Sequence, residues 1–246
     1  MSLLAGAFVV VAAFVTATVS GVLGMAGGLL LMGALLLVLP ATTAFVAHGL
    51  LQLVSNGWRA LLHRHHVQGR ILAWYAVGSV TAAALVAAVR YSPAKPLTYL
   101  LLGLVPMLVW LPKGVLRLDA SRPAHAVAAG LAVTAVNLLA GVAGPLLDVF
   151  FVRTSLGRHA VVATKAATQV LSHAAKVVLY GGTLLAGDAG DLPVPALLLA
   201  APLSMLGTVV GGRLLDRMSD AAFRSATRWV VSAIGVTYLV QAARLA

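Results

Sequence analysis

The chain has no cysteine among its 246 residues, which excludes thiol redox chemistry, iron–sulfur clusters and thiolate zinc sites. Acidic residues are scarce as well, since Asp and Glu together number 6 against 17 Lys and Arg. No GxSxG, HExxH, Walker loop or paired-carboxylate pattern occurs in the sequence. We therefore predict a protein that is not an enzyme and that uses no cofactor.

Apolar residues, in contrast, are abundant: 61% of the chain is hydrophobic and only 9% is charged. A soluble protein of this length cannot bury so large an apolar share, because much of any folded surface faces water. Several apolar runs approach the roughly 20 residues that cross a bilayer as a helix. We predict an all-α, polytopic helical membrane protein. The first run, residues 3–23, lacks the basic start and cleavage site of a signal peptide, so we expect it to be a membrane segment.

The order of segments repeats, which predicts two repeats, residues 1–116 and 117–246. Each half holds five apolar segments, and the second of them is short. A glycine-rich break precedes the short segment in both halves: SGVLGMAGG at residues 20–28 and AGVAGP at 140–145. Glycine weakens a helix and permits tight turns, so these breaks are expected to interrupt helices.

The distribution of charge predicts the orientation of the halves. Residues 63–70, 113–122, 153–158 and 213–228 hold eleven of the seventeen basic residues, so the positive-inside rule places them in the cytoplasm. Residues 182–193 carry no base and are expected outside. The two halves then have opposite orientation, and inverted repeats with short, broken segments are typical of secondary transporters. The number of crossings stays open, because a short segment fits either a span or a re-entrant hairpin.

Two long helices are predicted to carry matching polar stripes, at residues 41–62 and 157–181. An ungapped overlay aligns polar positions of the two helices at intervals of three and four residues, so each set shares one helix face. The first stripe is His48, Gln52, Ser55, Asn56 and Arg59; the second is Lys165, Gln169, Ser172, His173 and Lys176. The duplication predicts a transport site where the two stripes meet near the bilayer midplane.

Lys165 is the most informative of these residues, because it lies about 10 Å into its helix and a charge at that depth is costly. We predict that it binds an anion or exchanges a proton, the alternative being a lysine that extends to the interface. His48 fits a neutral donor, a proton carrier or a buried, hydrogen-bonded histidine. The amides Gln52 and Gln169 fit either the site or interhelical hydrogen bonds.

The remaining candidates are weaker. Arg59 and Lys176 are expected near opposite membrane faces, which favours interface anchoring for both. The alternative is that they face the pathway and attract anions at its two mouths. Asp148 fits either a pair with Lys165 or another base, or a helix cap. The loop sequence HRHH at residues 63–66 has no carboxylate nearby, which favours a cytoplasmic anchor over a metal site.

The glycine breaks also predict chemistry. Short helices that begin after Gly27–Gly28 and after Gly144–Pro145 would point unpaired N–H groups and positive dipole ends at a small oxyanion. Close helix packing is the alternative role for these glycines. The predicted substrate-binding set is Gly24, Gly27, Gly28, His48, Gln52, Asn56, Gly144, Lys165, Gln169 and His173.

The segment SGVLGMAGGLLLMGALLLVLP, the later AGVAGPLL and the basic linker between the halves resemble the sulfite exporter TauE/SafE family of membrane permeases. The resemblance covers essentially the whole chain. It implies movement of sulfite, sulfonates or related organosulfur anions across the bacterial cytoplasmic membrane. The second motif departs from the first, with Pro145 and Asp148 where the first half has Met25 and Gly28.

We therefore predict a secondary transporter that carries a small anion across the lipid bilayer by alternating access, with protons as the candidate coupling ion. The net charge is +11, and most of the basic residues lie between the apolar runs. Their distribution therefore indicates membrane topology, and we expect no nucleic-acid partner. Two alternatives remain: an anion channel with the same lining, and a membrane enzyme or assembly factor with a polar core. The substrate, the direction of transport and the oligomeric state are not contained in the sequence.

Overall fold

The computed structural model describes residues 2–23, 26–110, 118–185 and 191–245, apart from the side chains of residues 158, 183 and 220–224. Regular structure in these ranges is helical, and four of the helices are long and apolar enough to cross a membrane. The predicted all-α membrane fold is confirmed. In chain order the α-helices are α1 (Leu3–Leu23), α2 (Ala26–Val38), α3 (Ala41–Leu62), α4 (Gly69–Ala88), α5 (Lys95–Leu104), α6 (Pro123–Ala140), α7 (Gly144–Phe151), α8 (Arg158–Leu185), α9 (Val194–Leu215) and α10 (Asp220–Leu245).

The second helix of each half is short. α2 has 13 residues and α7 has 8, which at 1.5 Å per residue makes them about 20 Å and 12 Å long. Neither length crosses a hydrocarbon core of about 30 Å. α6 ends at Gly141, whose φ of 83° is a left-handed conformation that glycine adopts without strain. In the first half, α2 begins at Ala26, so Gly27 and Gly28 lie in its first turn and not ahead of it.

The helices of the two halves pack against each other in a reciprocal pattern. α1 packs most extensively on α9 and α4 on α6, so the first helix of each half contacts the fourth helix of the other. α3 packs on α8 and α5 on α10, so these helices pair with their own counterparts. This pattern is the one expected of two halves related by a two-fold operation. Their inverted orientation, and the repeat boundaries 1–116 and 117–246, stay predictions.

Glycine allows the reciprocal pairs to approach closely. A Cβ atom on Gly78 of α4 or on Gly130 of α6 would lie 2.0 Å from a backbone oxygen of the partner helix. α1 and α9 meet in the same way at Gly21 and Gly211, where a Cβ on Gly211 would lie 2.3 Å from a backbone oxygen. Small residues at helix crossings are typical of membrane proteins, because packing replaces the hydrophobic effect as the force that joins helices there.

Two helices run further than the sequence indicates. α8 continues through Gly181 and Gly182 to Leu185, and glycine is well tolerated in membrane helices. α10 begins at Asp220, so the predicted loop at 213–228 is reduced to residues 216–219. The segment 220–228 is polar, but it contains alanine and arginine and no glycine or proline, which favours helix.

The predicted orientation can be tested directly, because a chain without cysteine accepts single labelling sites. Residues 65 and 191 are both exposed and follow α3 and α8, respectively. We expect a membrane-impermeant maleimide to label Asp191→Cys in intact cells and His65→Cys only after permeabilisation. The reverse pattern would show that the orientation is wrong.

Candidate functional site

A cavity of about 150 Å³ lies between the two striped helices and the two helix breaks. Gly27 does not line it: this glycine faces α1, where a Cβ would lie 2.0 Å from the carbonyl oxygen of Thr16. Gly24 lies outside the described residues. The other eight members of the predicted substrate-binding set all line the cavity: Gly28, His48, Gln52, Asn56, Gly144, Lys165, Gln169 and His173. Whether they bind a substrate stays a prediction.

Among the described residues, the lining of the cavity extends to one end of the bundle. Arg59, Val162 and Leu215 line it, and each lies in the first or last turns of its helix, at the end predicted to be cytoplasmic. The exposed fraction of the side chains falls along the cavity, from 22% for Lys165 to 0% for His48. We therefore define the end at Lys165 as the mouth of the cavity and the end at His48 as its floor.

Beyond the floor the bundle is closed by aromatic packing. Phe45 lies one turn before His48 on α3, and Tyr180 lies one turn after Lys176 on α8. Both rings are buried, and they meet edge to face with their centroids 5.5 Å apart. The cavity therefore does not continue to the end of the bundle that is predicted to be external.

Hydrogen bonds to the first glycine break orient the side chains of α3. His48 Nε2 lies 3.0 Å from the carbonyl oxygen of Gly28, and since a carbonyl only accepts, Nε2 carries the hydrogen. Gln52 Oε1 accepts a hydrogen bond of 2.9 Å from Asn56 Nδ2. A Cβ on Gly28 would lie 3.2 Å from Gln52 Nε2, so glycine there lets the Gln52 amide approach α2.

Three charged side chains define the mouth. Lys165 forms an ion pair with Asp148 of α7, which decides between the two roles open to Asp148. Arg59 Nη2 lies 3.5 Å from Ser20 Oγ, a neutral partner. In the described ranges the Lys165–Asp148 pair is the one salt bridge, so Arg59 has no carboxylate partner there. The mouth therefore carries one positive charge more than the carboxylate can balance.

Lys176 is not the interface anchor that the sequence favours; that interpretation is wrong. Its side chain is 0% exposed, and it lies nine residues before the end of α8. Its Nζ donates to the carbonyl oxygen of Gly141 at 2.8 Å, to His48 Nδ1 at 2.9 Å and to Asn137 Oδ1 at 3.5 Å. The Phe45 ring lies on a further side, 5.7 Å from Nζ to the ring centroid. The three N–H groups of an ammonium thus face three neutral acceptors.

These contacts satisfy carbonyl groups at the C-terminal end of α6, which is buried inside the bundle. The last carbonyls of a helix have no intrahelical partners, and the bilayer core has no water to bind them. The hydroxyls of Tyr180 and Tyr91 donate to carbonyls of the last turn of α6, at 2.8 Å and 3.1 Å, and Lys176 donates to Gly141. The positive charge of Lys176 also lies at the negative end of the α6 dipole.

Sequence reasoning missed Asn137, whose side chain lies between Lys176 and the cavity-lining His173. Its Oδ1 faces Lys176, its Nδ2 lies 3.4 Å from His173 Nδ1, and it lines the cavity. The sequence did contain a signal, because Asn137 is a single amide within an apolar run, four residues before Gly141. Polar groups in membrane helices need partners, so such a residue is expected to face the inside of the bundle. Ser172 was placed on the stripe correctly and bonds Tyr75 at 2.6 Å and Thr134 at 2.9 Å.

The loop histidines lie together at the predicted cytoplasmic end. The rings of His66 and His159 stack with their centroids 5.4 Å apart, and His63 lies 6.2 Å from His159. Partial burial, followed by the charges of His159, His66 and Arg59, lowers the pKa of His63. No group of three or more His, Cys, Asp or Glu in the described part of the chain is arranged to hold a metal ion.

The fold and the cavity together define a multi-pass helical membrane protein with a polar, cation-lined cavity that reaches one side of the bundle. Residues 9–238 match the family described as Sulfite exporter TauE/SafE. The chain belongs to this family of membrane transporters, which confirms the resemblance of its two glycine-rich motifs. The comparisons with curated proteins and with solved structures found no match.

Proposed function

We propose that the chain is a secondary transporter of a small sulfur-containing anion, such as sulfite or a sulfonate, and that it works by alternating access. The observation that carries the proposal is the excess positive charge at the cavity mouth, where Arg59 and Lys165 both line the cavity and Asp148 pairs with Lys165 alone. In a cavity partly shielded from water, such charges form strong charge-assisted hydrogen bonds to an anion.

The lining supports a small oxyanion as the substrate. A cavity of about 150 Å³ holds a ligand of only a few heavy atoms. The amides of Asn56, Gln52 and Gln169 supply N–H donors, and an oxyanion offers acceptors on every side. Gly144 lines the cavity at the start of α7, so the positive end of that helix dipole adds to the same field.

The closed floor supports a carrier over a channel. A channel needs a continuous path, whereas the buried Phe45–Tyr180 contact separates the cavity from the predicted external end. A carrier needs a site that is open to one side at a time, and the cavity has that form. The family membership supports the substrate class, and it supports a location in the bacterial cytoplasmic membrane.

Flux into liposomes tests the proposal. Purified protein is reconstituted and offered sulfite, thiosulfate, methanesulfonate and acetate, with protein-free liposomes as the control. We expect saturable flux for one or more of the sulfur oxyanions and less for acetate. Absence of flux for the whole panel would contradict the proposal, and large single-channel currents would replace it with a channel.

A further inference from the structure

Lys176 is the most deeply buried cation in the described part of the chain, and the mouth of the cavity does not use it. Its Nζ contacts Gly141, His48 and Asn137, which are all neutral acceptors. The one salt bridge in the described ranges joins Lys165 to Asp148, so the structure offers Lys176 no carboxylate. An ammonium in this position requires a compensating charge from elsewhere, because an unpaired buried charge is costly.

The contact between Lys176 and His48 limits how many protons the two side chains can share. His48 Nε2 is held as a donor by the Gly28 carbonyl, so Nδ1 is the atom that faces Nζ, at 2.9 Å. One excess proton is accommodated, either as an ammonium beside a neutral imidazole or as an amine beside an imidazolium. A second proton would point one donor at another. The pair can therefore hold one excess proton or none.

In the described ranges no negatively charged side chain contacts the pair. From α6 the pair meets Asn137 and the Gly141 carbonyl, and from α3 it meets the Phe45 ring. On α8 the titratable neighbours of the pair are His173, whose ring centroid lies 5.4 Å from that of His48, and Tyr180, whose ring packs against Phe45 one turn after Lys176. The further charges are Arg59, Lys165 and Asp148 at the mouth. An anion in the cavity, which His48 and His173 line, is thus the available counter-charge.

We propose that Lys176 and His48 form the proton-binding site of this transporter, and that each anion bound in the cavity brings one proton onto the pair. The inference rests on the proposed function, since it requires an anion in the cavity. The anion stabilises the protonated pair by Coulomb attraction across a medium of low dielectric constant, and the proton stabilises the anion equally. Anion and proton therefore bind together and leave together.

Asn137 transmits the protonation state to the cavity. A neutral amine has two N–H groups and cannot serve three acceptors, so the longest contact, 3.5 Å to Asn137 Oδ1, is the one that is released. The other end of that amide lies 3.4 Å from His173 Nδ1, and His173 lines the cavity. Loss of the proton thus releases the Asn137 side chain, which contacts His173 in the cavity lining.

Proton uptake during anion binding tests the proposal. Methanesulfonate is the probe, because it does not take up protons near neutral pH and any proton taken up then belongs to the protein. Purified wild-type protein in weak buffer is titrated with it while a pH indicator is followed. We expect about one proton per bound anion at alkaline pH, and an affinity that falls about tenfold per pH unit in that range. Binding without proton uptake overturns the inference and leaves the proposed function standing; no binding by any anion of the panel removes both.

Arginine substitutions assign the site. Lys176→Arg keeps the cation but cannot release a proton, so we expect binding that is independent of pH and without proton uptake. Lys95→Arg is the matched control, because Lys95 lies on α5 outside the cavity and its Nζ donates to the carbonyl oxygen of Leu36. This variant is expected to retain the proton uptake and the pH dependence of the wild type. Undiminished proton uptake by folded Lys176→Arg overturns the assignment. If Lys176→Arg does not fold, His48→Gln is the variant to measure. Removal of one partner of the pair must shift the pH at which proton uptake occurs. Proton uptake at the same pH as in the wild type would overturn the assignment.

Discussion

Lys165→Met is expected to lower the affinity of the folded protein for a sulfur oxyanion by about 10- to 100-fold. A hydrogen bond to a charged group contributes about 1.5–3 kcal/mol, and each 1.4 kcal/mol changes an affinity about tenfold. Binding should not vanish, because Arg59 also lines the cavity. The measurement is the dissociation constant of methanesulfonate for detergent-purified protein. Equal affinities of variant and wild type would remove Lys165 from the site.

Asp148→Asn should act in the opposite direction on the same measurement. The carboxylate of Asp148 forms an ion pair with the ammonium of Lys165 in the structure. A bound anion therefore has to compete with Asp148 for Lys165. Loss of that charge should raise the affinity several-fold, provided the variant stays folded. Asp191→Asn, at an exposed site outside the cavity, makes the same change in net charge and should change the affinity little.

Gly211→Ala should destabilise the protein by about 1–3 kcal/mol or more, the range for an overpacked interior. The new Cβ would lie 2.3 Å from the Thr18 carbonyl oxygen and 2.7 Å from the Cα atom of Gly21. Both are backbone atoms, so relief requires α1 and α9 to separate along their crossing. Thermal unfolding of the purified protein, followed by loss of monodispersity, measures the effect.

The neighbouring residue supplies the matched control. Gly212 lies on the same helix, and a Cβ there would meet nothing within 4 Å. Gly212→Ala should therefore be neutral, or stabilising by up to about 1 kcal/mol, because alanine favours helix over glycine. Similar melting temperatures for the two variants would show that the α1–α9 crossing is looser than described.

The polar faces of α3 and α8 could be predicted because helical periodicity is local. Intervals of three and four residues place His48, Gln52 and Asn56 on one face wherever the helix lies, and lipid excludes such a face from the outside of the bundle. The helix breaks were predictable for the same reason, because the effect of glycine on the backbone is local. Gly141 ends α6 in a left-handed conformation that glycine adopts without strain.

The role of Lys176 could not be predicted, because its depth depends on where α8 ends. The sequence favours an end at Gly181–Gly182, which would leave Lys176 about one turn from the interface, whereas α8 runs on to Leu185. Its partners Asn137 and His48 come from two other helices, so only the packed structure brings them together. The Lys165–Asp148 pair depends likewise on how α7 docks, which no local pattern encodes.

The reciprocal glycine crossings determine which parts of the molecule can move as rigid units. α1 with α9, and α4 with α6, each join one helix from either half at backbone contact distance. Rocking one half of the chain against the other would pull both pairs apart at once. A motion that keeps each pair intact would move units that each contain one helix from either half of the chain.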